Sequence, residues 1–190
     1  MTKEPNSGLP IKAEDVLRFW FDELQPEQWW KCDKTVDDTV RARFSTLYTT
    51  MAANGAPAAW RDTARGRLAA VIVLDQFPRN LFRNSPKAFA TDASALALAV
   101  ESVDAGLDET LSIEERGFLY MPFQHSEDAE QQARSVVLFA SLGNEHSLQF
   151  AQQHKLVIDR FGRFPHRNKV LGRETTEEEK TFLEKESWFW

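Results

Sequence analysis

Cysteine is almost missing from this chain. Cys32 stands alone among 190 residues, so no disulfide can close within the chain and no cysteine-cluster zinc site can form. That usage fits a reducing compartment, and the cytoplasm is the expected location. No apolar stretch approaches the length of a membrane-spanning helix, so no membrane partner is expected. Residues 1–10 are polar and lack the apolar centre of a secretory signal. They read as a flexible tail ahead of a single domain over residues 11–190. No segment alternates apolar and polar residues with a period of two, and no hairpin turn is signalled. The glycine loop of nucleotide-binding proteins, the dinucleotide fingerprint, the Gly-x-Ser-x-Gly elbow and the HExxH metal motif are all absent. No cofactor is expected. The formal net charge of −6 argues against general nucleic-acid binding, which depends on neutralising many phosphates.

What the chain does hold is bulky apolar mass, with Phe 14 and Trp 6, arranged at helical spacing. Residues 12–24 place Val16, Leu17, Trp20 and Leu24 on one face after Pro10. Residues 25–33 read as a loop holding Trp29 and Trp30. Val36, Val40, Phe44, Leu47 and Met51 mark a helix over 35–51, ended by Asn54-Gly55. The next helix spans 57–76 with Pro57 in its first turn. Pro78 has no donor and crowds the carbonyl of Leu74, so this helix is expected to end or bend near Phe77. A short turn or helix at Ser85-Pro86 precedes an Ala/Leu-rich helix over 92–103. Ser112 and Glu115 form a capping box for a helix that Pro122 should stop. Glu127 is expected to open a helix reaching Leu142. Residues 145–161 form the next, and Thr175 or Thr176 caps the last. The pattern is all-α, about seven to nine helices with short connections and antiparallel neighbours.

One stretch departs from the acidic background. Residues 155–173 carry six cations, Lys155, Arg160, Arg163, Arg167, Lys169 and Arg173, against the single acid Asp159, a local excess of +5. Gly162 suits a left-handed helix cap and Pro165 prevents the helix from resuming, so an ordered, arginine-studded loop is expected. Arginine is the residue of choice for carboxylate and phosphate, because its planar fork donates two parallel hydrogen bonds. A weaker echo lies upstream. Asp75-Gln76-Phe77-Pro78-Arg79-Asn80 and Phe161-Gly162-Arg163-Phe164-Pro165-His166-Arg167-Asn168 each place Phe-Pro, an arginine and an asparagine just after a helix.

Three runs together carry a family resemblance: Asp-Gln-Phe-Pro-Arg-Asn at 75–80, Pro-Phe-Gln-His-Ser-Glu at 122–127 and Arg-Phe-Gly-Arg-Phe-Pro-His-Arg-Asn at 160–168. The chain resembles a bacterial family of unknown function over about Val16 to Leu183. The resemblance implies a tetratricopeptide-like (TPR-like) α-α superhelix, and it brings no established activity or catalytic residues. The Trp-Leu-Gly-Tyr pattern of ordinary tetratricopeptide repeats is absent, so a regular peptide-binding array is not implied.

The favoured functional expectation is a pocket for a small anionic ligand or an acidic peptide end. Arg79, Arg83, Arg163, Arg167 and Asn168 are its ligand-binding candidates. The competing account is structural: the same arginines cap helix ends and pair with acids of the fold. An enzyme of hydrolase or isomerase type is a third account, with His125, Glu127 and His166 as acid–base candidates acting on an anionic substrate. For His125 and Glu127 the plainer role is helix capping and space filling. A metal drawn from His125, Glu127, His154, His166 or Asp75 is disfavoured by the nearby arginines and the lack of close His–His spacing. Ser126 is not set in a Gly-x-Ser-x-Gly elbow, and Cys32 has Lys31 and Lys34 but no histidine beside it, so neither is favoured as a nucleophile. Trp29-Trp30 and Trp188-Phe189-Trp190 read as packing, or as a partner contact if exposed. Oligomeric state is left open by the sequence.

Overall fold

A computed structural model of the chain describes residues 11–185. The tail at 1–10 and the Trp188-Phe189-Trp190 terminus lie outside the described residues. Within them every regular element is helical and no strand occurs. Helix α1 (Ala13–Leu17) widens into a π-helical turn, Arg18–Glu23. α2 (Pro26–Trp30) follows, then the long α3 (Lys34–Asn54), whose first turn is capped by the Asp33 carboxylate accepting from Thr35 N and Val36 N. α4 (Ala58–Arg61) turns sharply into α5 (Ala64–Val71), a π-helical turn (Ile72–Gln76) and α6 (Phe77–Leu81). α7 (Asp92–Asp104), α8 (Ile113–His125), α9 (Ala129–Ala140), α10 (Glu145–Phe161) and α11 (Glu177–Lys185) complete the set. The eleven α-helices among the described residues exceed the expected seven to nine. The aromatic loop at 25–33 contains a helix of its own, and the expected 57–76 helix is split at Thr63, whose hydroxyl caps α5.

The corner between α4 and α5 depends on Gly66. A Cβ there would sit 2.3 Å from the Trp60 carbonyl oxygen, so any larger residue would force the two helices apart. Behind this corner, residues 68–77 are buried almost without interruption. α5 is packed against by α1, α7 and α8, while its π-helical extension also meets α3. Phe19, Trp20, Phe44 and Phe77 interlock there, with ring centroids 4.9–6.4 Å apart. Trp29 is half-buried and donates its indole hydrogen to the Trp20 carbonyl (2.8 Å). Trp30 is exposed and stacks on Phe118.

Two prolines are carried by their surroundings. Pro78 does not end the helical run, although the run changes form just before it, near the expected Phe77. The backbone widens to a π turn just before it, and the Leu74 carbonyl that Pro78 cannot reach accepts from the Thr91 hydroxyl at 2.5 Å. Pro122 lies inside α8, which continues to His125 with residues 118–124 all buried. A lost backbone hydrogen bond costs less than unpacking such a segment. The far end of α8 is closed by Gln132 of α9, whose amide donates to the carbonyls of Gln124 (2.8 Å) and Ser126 (2.6 Å). Asp128, not Glu127, caps α9, accepting from Gln131 N. That leaves Glu127 in the connection.

After α10, Gly162 takes the left-handed conformation (φ 66°) and a 3-10 turn follows at Pro165–Arg167. A small second core of Val157, Ile158 and Phe164, with Phe161 and Phe182 against it, joins this loop to α10 and α11.

Candidate functional site

The π-helical turn ahead of Pro78 places Asp75 where no water reaches it, at 0% exposure. Burial opposes its charge, but the Arg79 guanidinium and His125 outweigh burial and hold the carboxyl below the usual carboxylate range. One carboxylate oxygen lies 2.8 Å from His125 Nδ1, and the other accepts from Gln76 Nε2 at 2.5 Å. An ionised carboxylate can only accept, so Nδ1 of His125 carries the hydrogen of that bond and Nε2 is the nitrogen left for other work. Arg79 reaches back to the Asp75 carbonyl (2.5 Å) and pairs bidentately with Asp92 at 2.9 and 3.1 Å. Burial works against the Arg79 charge, yet Asp75 and Asp92 overcome it and raise its pKa.

Arg167 comes to the same acid from the other side. Its guanidinium lies 3.6 Å from Asp92 Oδ2, a charge contact too long for a hydrogen bond. It lies between the rings of Phe89 (4.8 Å) and Phe164 (4.6 Å), and its buried Nε has no hydrogen-bond partner. At 7% exposure, burial together with the like charge of Arg79 pulls its pKa down to about 10, so it remains a cation at neutral pH. The two arginines of the Phe-Pro echo therefore converge on one carboxylate, although Phe77-Pro78 lies within a helical run and Phe164-Pro165 in a loop.

A cleft of about 450 Å³ opens beside this group. Phe89, Leu96, Pro122 and Leu171 supply apolar wall, and Asp92, His125, Glu127 and Arg167 supply polar groups. Glu127 is already committed. It accepts from Phe164 N at 2.7 Å and from Arg173 at 2.7 and 3.0 Å. These bonds outweigh burial and lower its pKa. His166 does not line the cleft. Burial, then the Arg167 charge, pushes its pKa down to about 2, and burial takes His154 to about 4, so both are neutral at pH 7.

The remaining candidates lie elsewhere. Arg83 pairs bidentately with Asp37 of α3 (2.5 and 2.7 Å). Arg163 pairs with Glu179 of α11 (2.6 and 2.9 Å), and Asn168, fully buried, donates to the same Glu179 (3.2 Å). The structure thus brings together Asp75, Arg79, His125, Glu127 and Arg167, but not Arg83, Arg163 or Asn168. Asp75 as the partner of His125, and Asp92 as the acid shared by two arginines, were not read as a site from sequence. Asp75 did leave a signal: it is the one charge in the run Leu68 to Phe77, and a charge in a buried helix needs a partner. Among the described residues no three His, Cys, Asp or Glu side chains gather as a metal site, and no helix is long and apolar enough to cross a membrane.

Comparison with known proteins identifies a family and a similar fold. No curated protein matches the chain. A solved structure of a protein of unknown function, ATU0120, from Agrobacterium tumefaciens is similar to it with 39% identity and a TM-score of 0.86, over 91% of this chain and 97% of that one. The family model described as bacterial protein of unknown function (DUF924) matches residues 16–187. The chain therefore belongs to the DUF924 family of bacterial proteins.

Proposed function

We propose that the protein binds a small organic anion in the cleft between the 86–96 segment, the end of α8 and the Pro165–Arg167 turn. Arg167 makes the contact and the apolar walls hold the body of the ligand. One observation carries this reading: Arg167 is a buried cation at the cleft whose nearest acid, Asp92, is already held bidentately by Arg79 and lies 3.6 Å away. A guanidinium shielded from water gains most from a partner that accepts two hydrogen bonds, and a carboxylate or phosphate does so. Arg79 supports the site by holding Asp92 in place. Arg83, Arg163 and Asn168 serve the fold in this reading, through their pairs with Asp37 and Glu179. We further read α7 to α10 as stacked antiparallel pairs of a TPR-like superhelix in a cytoplasmic protein. Each of these helices packs on the next, which supports that arrangement.

The test is a ligand panel followed by one substitution. Benzoate, 3-phenylpropionate, succinate and inorganic phosphate are titrated while thermal unfolding is recorded. The aryl carboxylates are expected to raise the midpoint, because the walls are apolar and the cation is single. Arg167→Met keeps much of the stacking against Phe89 and Phe164 but removes the charge, and should abolish the shift while the protein stays folded. No stabilisation by any anion, or an undiminished shift in Arg167→Met, overturns the reading.

A further inference from the structure

We propose that Asp75 and His125 make this cleft a proton-transfer centre acting on carbon acids, namely small carboxylates with an apolar body and a C–H bond next to a carbonyl. The inference rests on the anion-binding reading above and adds a reaction to it. Its basis is the way the pair is built. Asp75 is held out of water by a π-helical turn, a rare feature that recurs at functional sites. Its two oxygens are taken by His125 Nδ1 and Gln76 Nε2, so it cannot itself reach a ligand. What it can do is fix the imidazole ring and its tautomer. His125 is the last residue of α8 and lines the cleft, with Nε2 the one ring nitrogen not already bonded. A buried carboxylate that orients a histidine at a ligand cleft is an arrangement suited to general-base work.

The choice of reaction follows from which other groups share the cleft. Among the lining residues the only hydroxyl is that of Ser126; its oxygen accepts from Asp128 N at 3.1 Å and it is not hydrogen-bonded to His125 or to a carboxylate. Glu127 is spent on Arg173 and the Phe164 backbone. Asp92 is held bidentately by Arg79, so no activated nucleophile for covalent catalysis is provided among the lining groups. One base and one cation are provided, and these two suffice for enolisation. His125 Nε2 takes the proton from the carbon beside the carbonyl. The C–H electron pair becomes the carbon–carbon double bond of the enol(ate), and negative charge moves onto oxygen near the Arg167 guanidinium. The imidazolium then returns the proton, to carbon or to oxygen, so no oxidant, reductant or second substrate is consumed. Arg167 would stabilise charge as it develops as well as hold the carboxylate. Asp75 acts through His125 and is a positioning residue.

Phenylpyruvate is the probe, because its carboxylate, carbonyl, acidic methylene and aryl body match each feature of the cleft. The full-length protein is incubated with phenylpyruvate in deuterated buffer, and deuterium entry at the methylene carbon is followed by proton NMR against a protein-free blank. Binding of 3-phenylpropionate, which has the same body but no ketone, is measured on the same samples. Wild type should bind 3-phenylpropionate and accelerate exchange. His125→Gln should bind it equally and lose about 100-fold or more of the acceleration. Asp75→Asn should lower the maximal exchange rate with little change in the half-saturating concentration, an effect that a merely structural tie would not produce in folded protein. If Asp75→Asn does not fold, His125→Gln decides alone. Wild type that binds 3-phenylpropionate but leaves exchange at the blank rate overturns the proton-transfer inference and spares the binding reading. So does His125→Gln that retains full acceleration. Wild type that binds none of the aryl carboxylates overturns both.

Discussion

Two regions of this molecule are held together by different forces. The bundle of α1 to α9, joined by Ala151 of α10, has one continuous apolar core; apart from the buried Asp75–Arg79–His125 group, ion pairs lie on its rim, as in Arg65 with Glu14 and Arg61 with Glu101. The arm after Gly162 contributes Phe164 to a small core shared with Val157 and Ile158 of α10, and its order comes from charge. Glu179 receives Arg163, Asn168 and the Thr176 backbone, Glu127 receives Arg173 and Phe164 N, and Glu178 receives Arg160. Burial of apolar area is non-directional and cooperative over the whole bundle. Ion pairs are local, and each loses strength with exposure and salt. The candidate cleft lies on the seam, with His125 and Asp92 from the bundle and Arg167 from the arm. A ligand there would join the two regions.

The sharpest way to test this contrast is to damage each side separately. Phe77 is fully buried and touches the rings of Phe19, Trp20 and Phe44. Phe77→Ala should cost about 3–5 kcal/mol, seen as a lower urea midpoint for unfolding of the whole chain. A second transition that separates from the first would contradict a single cooperative bundle. Acid should act next most strongly, and at the seam. His154 and His166 are kept neutral in the folded state, with pKa values of about 4 and about 2, while unfolded histidine titrates near 6.5. The unfolded chain therefore binds protons first. Stability is complete above about pH 6.5 and falls as pH drops through the interval down to about 4 for His154 and about 2 for His166. Together the two should cost roughly 2–3 kcal/mol between neutral pH and 5.5. His154→Gln should halve the slope of unfolding free energy against pH across that range. An unchanged slope would mean that His154 does not stay neutral in the folded protein.

The same division governs what could be read in advance. All-helical class and most helix bounds follow from local chemistry: the Ser112–Glu115 box and the left-handed Gly162, which has no Cβ to oppose that conformation, both lie where expected. Pro122 misled, and at Pro78 the sequence left end or bend open, because the effect of a proline is decided by its surroundings. A Thr91 hydroxyl seventeen residues from Leu74 and a Gln132 amide closing α8 are tertiary facts with no local mark. The basic island at 155–173 was a true feature with an incomplete meaning. Four of its six cations meet acids that lie outside it, Asp92, Glu127, Glu178 and Glu179, which no count within the segment can reveal. Arg167 alone among the five ligand candidates both lines the cleft and lacks a hydrogen-bonded acid, and its neighbour in sequence, Asn168, faces Glu179 instead.

The smallest of the three stability effects should also be the most local. Glu179 is buried, accepts from Arg163 at 2.6 and 2.9 Å, from Asn168 at 3.2 Å and from Thr176 N at 2.8 Å, and its pKa is held down to about 2 chiefly by Arg163. Glu179→Gln keeps the size and one acceptor oxygen but removes the charge and the second acceptor. Arg163 is partly exposed and can turn to water, which softens the loss, so the cost should be about 2 kcal/mol. Because the arm's apolar core is small, that cost falls on the arm alone. Amide hydrogen exchange should quicken over residues 163–185 and leave α5 as protected as before. In wild type, raising salt should quicken exchange in the same residues, since the pairs being screened are the ones that order them. If α5 loses protection to the same degree as α11, the arm unfolds only with the bundle, and the seam that carries the cleft is not a boundary between two differently stabilised regions.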